Sequence, residues 1–166
     1  MIIRIVFIAV LFGLTYGQTP KAKISQADTS QTVKAQNDSF PFLPQGAIIH
    51  VRKGNQIFCF LPKNMKIQGV ICRGHDKDWE TGFYTNGKLS LVWLPHDQVI
   101  QGVPCMKATF WTEVLGKSAK VLFWANGQLK RCKAAKNCVI QGHAFKKGDI
   151  VRFDKQGRLI LGNWKK

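Results

Sequence analysis

Three stretches of the chain align without gaps: GNQIFCFLPKNMKIQG (residues 54–69), GKLSLVWLPHDQVIQG (residues 87–102) and GQLKRCKAAKNCVIQG (residues 127–142). In each stretch the two outer glycines stand 15 positions apart, and Ile-Gln precedes the second glycine. A fourth, incomplete copy begins at Gly157 with GRLILGNW. Recurrence of this kind indicates a tandem repeat, in which each copy is one supersecondary unit.

The residues before the first glycine of each copy also recur, as FYTNG (residues 83–87), FWANG (residues 123–127) and FDKQG (residues 153–157). Asn-Gly between aromatic and apolar runs is a strong hairpin signal, because the tight turn needs positive φ at its centre. Pro-Lys-Asn, Pro-His-Asp and Ala-Lys-Asn then supply a second turn, in which Asn or Asp can bond its own backbone. The sequence therefore predicts an all-β fold, an antiparallel meander of three to four hairpin repeats with roughly ten to twelve strands. A roll, an open barrel and an elongated sheet all agree with this pattern.

The copies are unevenly spaced, since Gly87 follows Gly54 by 33 positions and Gly127 follows Gly87 by 40. The additional residues fall within CMKATFWTEVLGKSA (residues 105–119). We expect an extra hairpin or a protruding loop there.

The N-terminus has the three-part layout of a secretory signal peptide. Arg4 precedes a run of ten apolar residues, 5–14, and Thr15-Tyr16-Gly17 offers a cleavage site before Gln18. This run has half the roughly 20 residues that a membrane-spanning helix needs, although an uncleaved anchor is the alternative. The predicted organisation is a signal peptide (1–17), a flexible polar leader (18–42) and a β-repeat domain (43–166), and the predicted localisation is export to the periplasm, the cell surface or the medium.

FYTNGKL and FWANGQL resemble the strand-turn-strand core of MORN-type repeats. The longer unit, in which Ile-Gln-Gly is followed by Phe145-Lys146-Lys147-Gly148, resembles tandem β-hairpin repeats of exported bacterial proteins. The pattern departs from MORN repeats in its length and in lacking their regular second and third glycines. The resemblance implies a β-hairpin array and transfers no active site.

Lys and Arg outnumber Asp and Glu by 25 to 9, which gives a formal net charge of +16. A chain this basic is attracted to polyanions such as acidic glycans, anionic lipids or envelope phosphates. Trp111, in the insertion, is the tryptophan best placed for an exposed contact, and the basic residues concentrate in the last two copies. The predicted ligand-binding residues are Trp111, Lys130, Arg131, Lys133, Lys146, Lys147, Arg152 and Arg158. A solvated surface that protects strand edges is the alternative interpretation of these charges.

Five cysteines in an exported chain suggest disulfides, with one thiol left over. Cys132 and Cys138 flank a turn and are the predicted pair, whereas small apolar packing positions are the alternative. The sequence holds no paired His spacing, phosphate-binding loop or nucleophile motif, so no cofactor, metal or catalytic residue is predicted. The acidic stretch of Asp76, Asp78 and Glu80 is the one place where a hydrolase site or a Ca²⁺ site could arise, and a solvated turn is the simpler interpretation.

The leading functional hypothesis is an exported, non-enzymatic basic repeat protein that binds anionic envelope or extracellular polymers. An envelope protein is the other predicted partner, which makes a structural or protein-interaction module the first alternative. A hydrolase of unknown specificity is the second. No specific nucleic acid is expected, and membrane contact is expected only during export.

Overall fold

The computed structural model describes residues 40–75, 77–114 and 118–162. These residues form a nearly all-β fold, as the repeat predicted, with 13 strands against the ten to twelve expected. The predicted signal peptide and residues 18–39 of the leader lie outside the described residues. In chain order the elements are β1 Ile48–Lys53, β2 Gln56–Phe60, β3 Met65–Ile67, β4 Val70–Cys72, β5 Thr81–Tyr84, β6 Leu89–Val92, β7 Gln98–Ile100, β8 Val103–Cys105, α1 Phe110–Val114, β9 Val121–Phe123, β10 Leu129–Lys133, β11 Cys138–Ile140, β12 His143–Phe145 and β13 Ile150–Arg152.

Seven strands form one antiparallel sheet in the order β1-β2-β5-β6-β9-β10-β13. The other six form three separate two-stranded hairpins, β3–β4, β7–β8 and β11–β12. Each copy therefore contributes two neighbouring strands to the sheet and then leaves it to make a small hairpin. Because β1 and β13 are the two ends of the sheet order, the sheet is open rather than closed into a barrel.

The three small hairpins pack against one face of the sheet and enclose a single core between two layers. Ile57, Phe83 and Val121 reach this core from the sheet, and Val70 and Ile100 reach it from the hairpins. Burying a side chain of this size stabilises the fold by about 1.5–3 kcal/mol relative to exposure. The hairpins thus supply the second layer that an isolated sheet lacks.

The Asn-Gly turns of the sheet do not form the tight two-residue turn that the sequence predicted. That turn occurs in the small hairpins instead. The Tyr84 N–H donates to Lys88 O (2.7 Å) across a three-residue loop in which Gly87 alone has positive φ, at 81°. That is the type I turn with a glycine bulge, the usual three-residue hairpin loop. Two consecutive positive φ values instead occur at the Gln-Gly pairs of the small hairpins, for example 51° at Gln68 and 86° at Gly69.

The glutamine of each Ile-Gln-Gly motif links its small hairpin to the sheet turn of the following copy. Gln101 donates from Nε2 to Gly127 O (2.8 Å) and accepts at Oε1 from the Leu129 N–H (2.9 Å). Gln68 and Gln141 make the same pair of bonds to the copies that follow them. The motif therefore repeats because its side-chain amide pairs with backbone, as a neighbouring strand would.

The second-turn Asn or Asp also bonds at a distance rather than within its own turn. Asn64 Oδ1 accepts from the Gly74 N–H at 3.0 Å, and Asp97 and Asn137 accept from residues ten positions further on, Lys107 and Lys147. These bonds close the base of each small hairpin. They satisfy backbone donors that no strand partner reaches.

The insertion contains a helix of five residues, α1, where a hairpin or a loop was expected. Thr109 precedes α1 as its N-cap, because its Oγ1 accepts from the Thr112 N–H (3.2 Å). A helix of five residues is too short to produce a recognisable 3.6-residue pattern. A small second cluster of Trp79, Ala108 and Ala119 lies buried beside it, with Trp93 packed against them. Among the described residues, no helix is long and apolar enough to cross a bilayer.

Candidate binding surface

The sheet has an outer face that the small hairpins do not cover. One row of directly paired residues crosses it from strand to strand and changes from apolar to basic along its length. Its members, one on each of the seven strands, are Val51, Phe58, Gly82, Leu91, Leu122, Arg131 and Arg152. The row therefore joins two of the predicted binding residues at one end of the sheet.

Arg131 on β10 and Arg152 on β13 are partners in register, so two like charges lie side by side on the outer face. Both residues are half-buried. Burial and, next, the Arg152 charge lower the pKa of the Arg131 guanidinium. Like charges directly opposite each other destabilise a sheet, because their electrostatic repulsion raises the free energy of the folded state. The Glu113 carboxylate and a hydrogen bond from Arg131 Nη1 to Lys120 O (3.4 Å) offset part of this cost, and an anion bound beside the pair would offset more of it.

Trp124 lies next to this pair and is held in place by the following copy. Its indole Nε1–H donates to Phe153 O at 2.9 Å, as the Tyr84 hydroxyl donates to Phe123 O in the preceding copy. The Lys130 ammonium stands 4.1 Å from the centre of the Trp124 ring, and the Lys155 ammonium stands 5.7 Å from it. Neither Trp124 nor Lys155 is among the predicted binding residues, because an aromatic residue in a repeat strand usually packs within or across the sheet, and Lys155 counts only as one of the late basic residues.

The remaining predicted basic residues are dispersed. Lys133 is buried, with 9% of its surface exposed, and it is not an open contact. Lys146 and Lys147 are exposed in the turn that follows the third small hairpin. Arg158 pairs with Asp154 through Nε and Oδ2 at 2.7 Å. The structure thus brings together Lys130, Arg131 and Arg152, and it places the other four elsewhere.

Trp111 lies on α1, and the insertion that carries α1 borders the basic face, where Arg131 Nη1 donates to Lys120 O at 3.4 Å. No residue of α1 is buried, and Phe110 and Trp111 expose 67% and 69% of their surface. Their rings meet edge to face with centroids 5.7 Å apart, and Val114 beside them is 60% exposed. Glu113, by contrast, is turned toward the base of the insertion, where its Oε1 accepts from the Ala119 N–H (2.9 Å). The outward side of α1 is therefore apolar.

The acidic stretch does not form a ligand set in the residues that are described. Glu80 Oε2 lies 3.4 Å from His50 Nδ1 on β1, and Asp78 is exposed. Asp76 lies outside the described residues. Across the described ranges, no group of three or more His, Cys, Asp or Glu side chains is arranged to hold a metal ion.

All five cysteines are free thiols in the structure, and the Cys132–Cys138 disulfide stays a prediction. Cys132 faces the core from β10, whereas Cys138 begins the separate hairpin β11–β12. A hydrogen bond with Cys132, together with burial, raises the pKa of the Cys105 thiol. Burial raises the pKa of Cys59 and of Cys72 to about 12. Four of the cysteines thus occupy small buried packing positions, and the half-buried Cys138 packs at the edge of the core.

No protein-family model, no curated protein and no solved structure matches this chain. The function is therefore argued from the chain's own residues.

Proposed function

We propose that this chain is an exported, non-enzymatic binding protein for anionic polymers of the envelope or the extracellular space. The supporting observation is the in-register pair of Arg131 and Arg152 on the open face of the sheet. At the same row position the preceding copy has Leu91 and Leu122, which pair without charge repulsion. The basic pair therefore replaces an apolar pair that the same position of the repeat holds without repulsion.

Guanidinium groups suit this role, because each presents a planar set of donors that matches the oxygens of sulfate, phosphate or carboxylate groups. Two of them on neighbouring strands stand roughly 5 Å apart at the backbone, which lets them contact one anionic group or two successive ones. Half-burial strengthens such contacts relative to fully solvated charges. Lys130, seated over Trp124, adds a third cation beside the pair.

The net charge of the whole chain supports attraction at longer range. With +16 overall, the protein accumulates near any polyanion at low ionic strength, whatever its local geometry. A specific site must therefore be separated from this general attraction. Two variants that each lose two positive charges, one at the proposed site and one elsewhere, distinguish the site from the general attraction.

The test compares two double variants of the chain in binding to heparin, a sulfated acidic glycan. Arg131→Leu with Arg152→Leu removes the outer-face pair and installs the residues of the preceding copy. Lys146→Gln with Lys147→Gln removes the same charge from an exposed turn. We expect the first variant to bind about tenfold more weakly than the control at physiological salt, with a salt slope lower by about two. Equal affinities for the two variants would reduce the interaction to net charge and refute the proposal.

A protein-interaction module is the second candidate function, and α1 is the observation that favours it. Phe110, Trp111 and Val114 form an exposed apolar patch, of the kind that marks contact sites on otherwise polar surfaces. Trp111→Ser with Phe110→Ser should then abolish a salt-insensitive interaction with an envelope protein while leaving heparin binding unchanged. Loss of heparin binding in this variant would instead assign α1 to the polyanion site.

A further inference from the structure

Two surface cavities lie at equivalent places between successive copies, on the side of the small hairpins. The first has a volume of about 170 Å³ and is lined by residues that include Gly69, Val99, Phe123 and Gly127. The second has a volume of about 300 Å³ and is lined by residues that include Gly102, Val139, Phe153 and Gly157. The lining residues are equivalent in the repeat, taken as the pairs Gly69 and Gly102, Val99 and Val139, Phe123 and Phe153, and Gly127 and Gly157. The cavities are therefore one feature of the repeat that occurs twice.

The same place in the preceding copy is lined by Phe83 and Gly87, and there the chain's own Phe42 is bound. The Phe42 and Phe83 ring centroids are 6.0 Å apart. A Cβ atom built on Gly87 would stand 3.1 Å from the Phe42 Cβ, so the ring covers this glycine closely. Phe40 packs on Phe42 edge to face, with centroids 5.8 Å apart.

At the two later glycines no ring from residues 40–75, 77–114 or 118–162 takes this place. The nearest heavy atom to a Cβ built on Gly127 is Lys88 Cδ at 3.8 Å, and at Gly157 it is Gln128 Oε1 at 3.3 Å. Val99 and Val139, at the rims, are 72% and 71% exposed. Glutamine side chains line both cavities beside the apolar residues, and Gln101 contributes to each. A cavity of about 150 Å³ is large enough to admit benzene, so both cavities have room for a phenyl ring.

We propose that the two cavities are docking sites for aromatic side chains of a peptide segment, bound as Phe42 is bound in the preceding copy. Phe42 shows the chemistry of the occupant: an aromatic ring on a short Pro-containing segment, residues 40–44. The leader cannot supply this ring from within the chain, because residues 18–39 contain no aromatic residue. We take the occupant to be a separate peptide segment rich in Phe and Pro, and a ring from elsewhere in the chain is one of the outcomes that the test distinguishes.

The spacing of the sites sets the spacing of the rings. Successive sites are separated by two strands of the sheet, which corresponds to about 10 Å. Residues three apart in a polyproline II segment lie on one side at about 9.3 Å, which matches this separation. The occupant thus carries aromatic residues at positions i and i+3. The proposal is independent of the basic outer face, which lies on the opposite side of the sheet.

The experiment titrates the full chain with the peptide Ac-FPPFPP-NH2 and follows backbone amide shifts by NMR, with Ac-APPAPP-NH2 as the control peptide. We expect saturable shifts at Gly127 and Gly157 with the Phe peptide alone. Val99→Phe and Val139→Phe place a ring at each rim, and each should weaken binding about tenfold. Lys66→Phe is the matched control, because Lys66 has the same repeat position beside the site that Phe42 already fills.

Equal shifts with both peptides, or shifts confined to residues of the outer face, would overturn the proposal. Equal binding by the Val99→Phe, Val139→Phe and Lys66→Phe variants would overturn it as well, since the ring would then bind elsewhere. Trp164 is the one other aromatic residue near the C-terminus, so Trp164→Ala is measured alongside. Binding that emerges only in Trp164→Ala would assign the cavities to the chain's own ring rather than to a partner.

Discussion

Replacement of Gln101 by Met tests whether the glutamine of the repeat motif holds successive copies together. Met keeps the length and the unbranched shape of Gln but removes both hydrogen bonds, the one to Gly127 O (2.8 Å) and the one from the Leu129 N–H (2.9 Å). A hydrogen bond contributes about 0.5–1.5 kcal/mol net, so the pair accounts for about 1–3 kcal/mol of the free energy of unfolding. The upper part of this range applies if water cannot reach the Leu129 N–H, whose residue is 2% exposed.

The assay is urea unfolding of each variant, followed by tryptophan fluorescence and fitted by linear extrapolation. Gln141→Met is the informative comparison, because Gln141 bonds Gly157 and Leu159 near the end of the array, where both bonds are exposed. We expect the loss at Gln141 to be less than half that at Gln101. Gln45→Met, at an exposed turn, is the control for the substitution itself. A loss below about 0.5 kcal/mol for Gln101→Met, the scatter of neutral surface changes, would refute the reasoning.

Three further predictions concern buried and charged positions. Thr81 is fully buried with an unpaired hydroxyl, at the core position that Val121 occupies in the next copy, so Thr81→Val should stabilise the fold by about 1 kcal/mol in the same urea assay. Arg131→Leu should raise the stability by about 0.2–1 kcal/mol, and more at low salt, while lowering heparin affinity. Destabilisation by either change would contradict its argument. Because the pKa values of Cys59 and Cys72 rise to about 12, their contribution to stability is complete below pH 8.5, the pKa of an unfolded thiol, and falls as the pH increases toward 12. Cys59→Val should reduce this alkaline loss, and an unchanged pH profile would show that Cys59 ionises freely in the folded state.

The hairpins could be predicted from the sequence because their signals are local. Phe83 and Phe123 alternate with outward residues and lead into Asn-Gly turns, so strand and turn are specified within a few positions. The second layer could not be predicted in the same way. Strands of three residues, such as β7 and β8, are too short to show whether they pair with each other or with the sheet. Long-range hydrogen bonds hold these strands in the second layer, apart from the sheet. Among them are the two bonds between the Gln98 side-chain amide and the Ile71 backbone N–H and O.

The basic residues show a second limit of the sequence. A bulge between Leu129 and Arg131 shifts the register of β10, so Arg131 pairs with Leu122 and faces outward beside Arg152. Lys133, two positions further along, is buried despite its charge. Composition therefore predicted a cationic protein, but only the register determines which charges share a face.

The repeat signature specifies contacts between copies more than the shape of any one copy. Tyr84 donates to Phe123 O and Asn86 donates to Ala125 O, so the residues of one turn bond the backbone of the next. At the last turn, Asp154 occupies the position of Tyr84 and Trp124 and bonds within its own loop instead. The Arg158 N–H, first among several donors, lowers the pKa of the Asp154 carboxyl. The position that bonds the following turn in two copies therefore stabilises its own loop in the third, so the link between copies depends on which residue stands there.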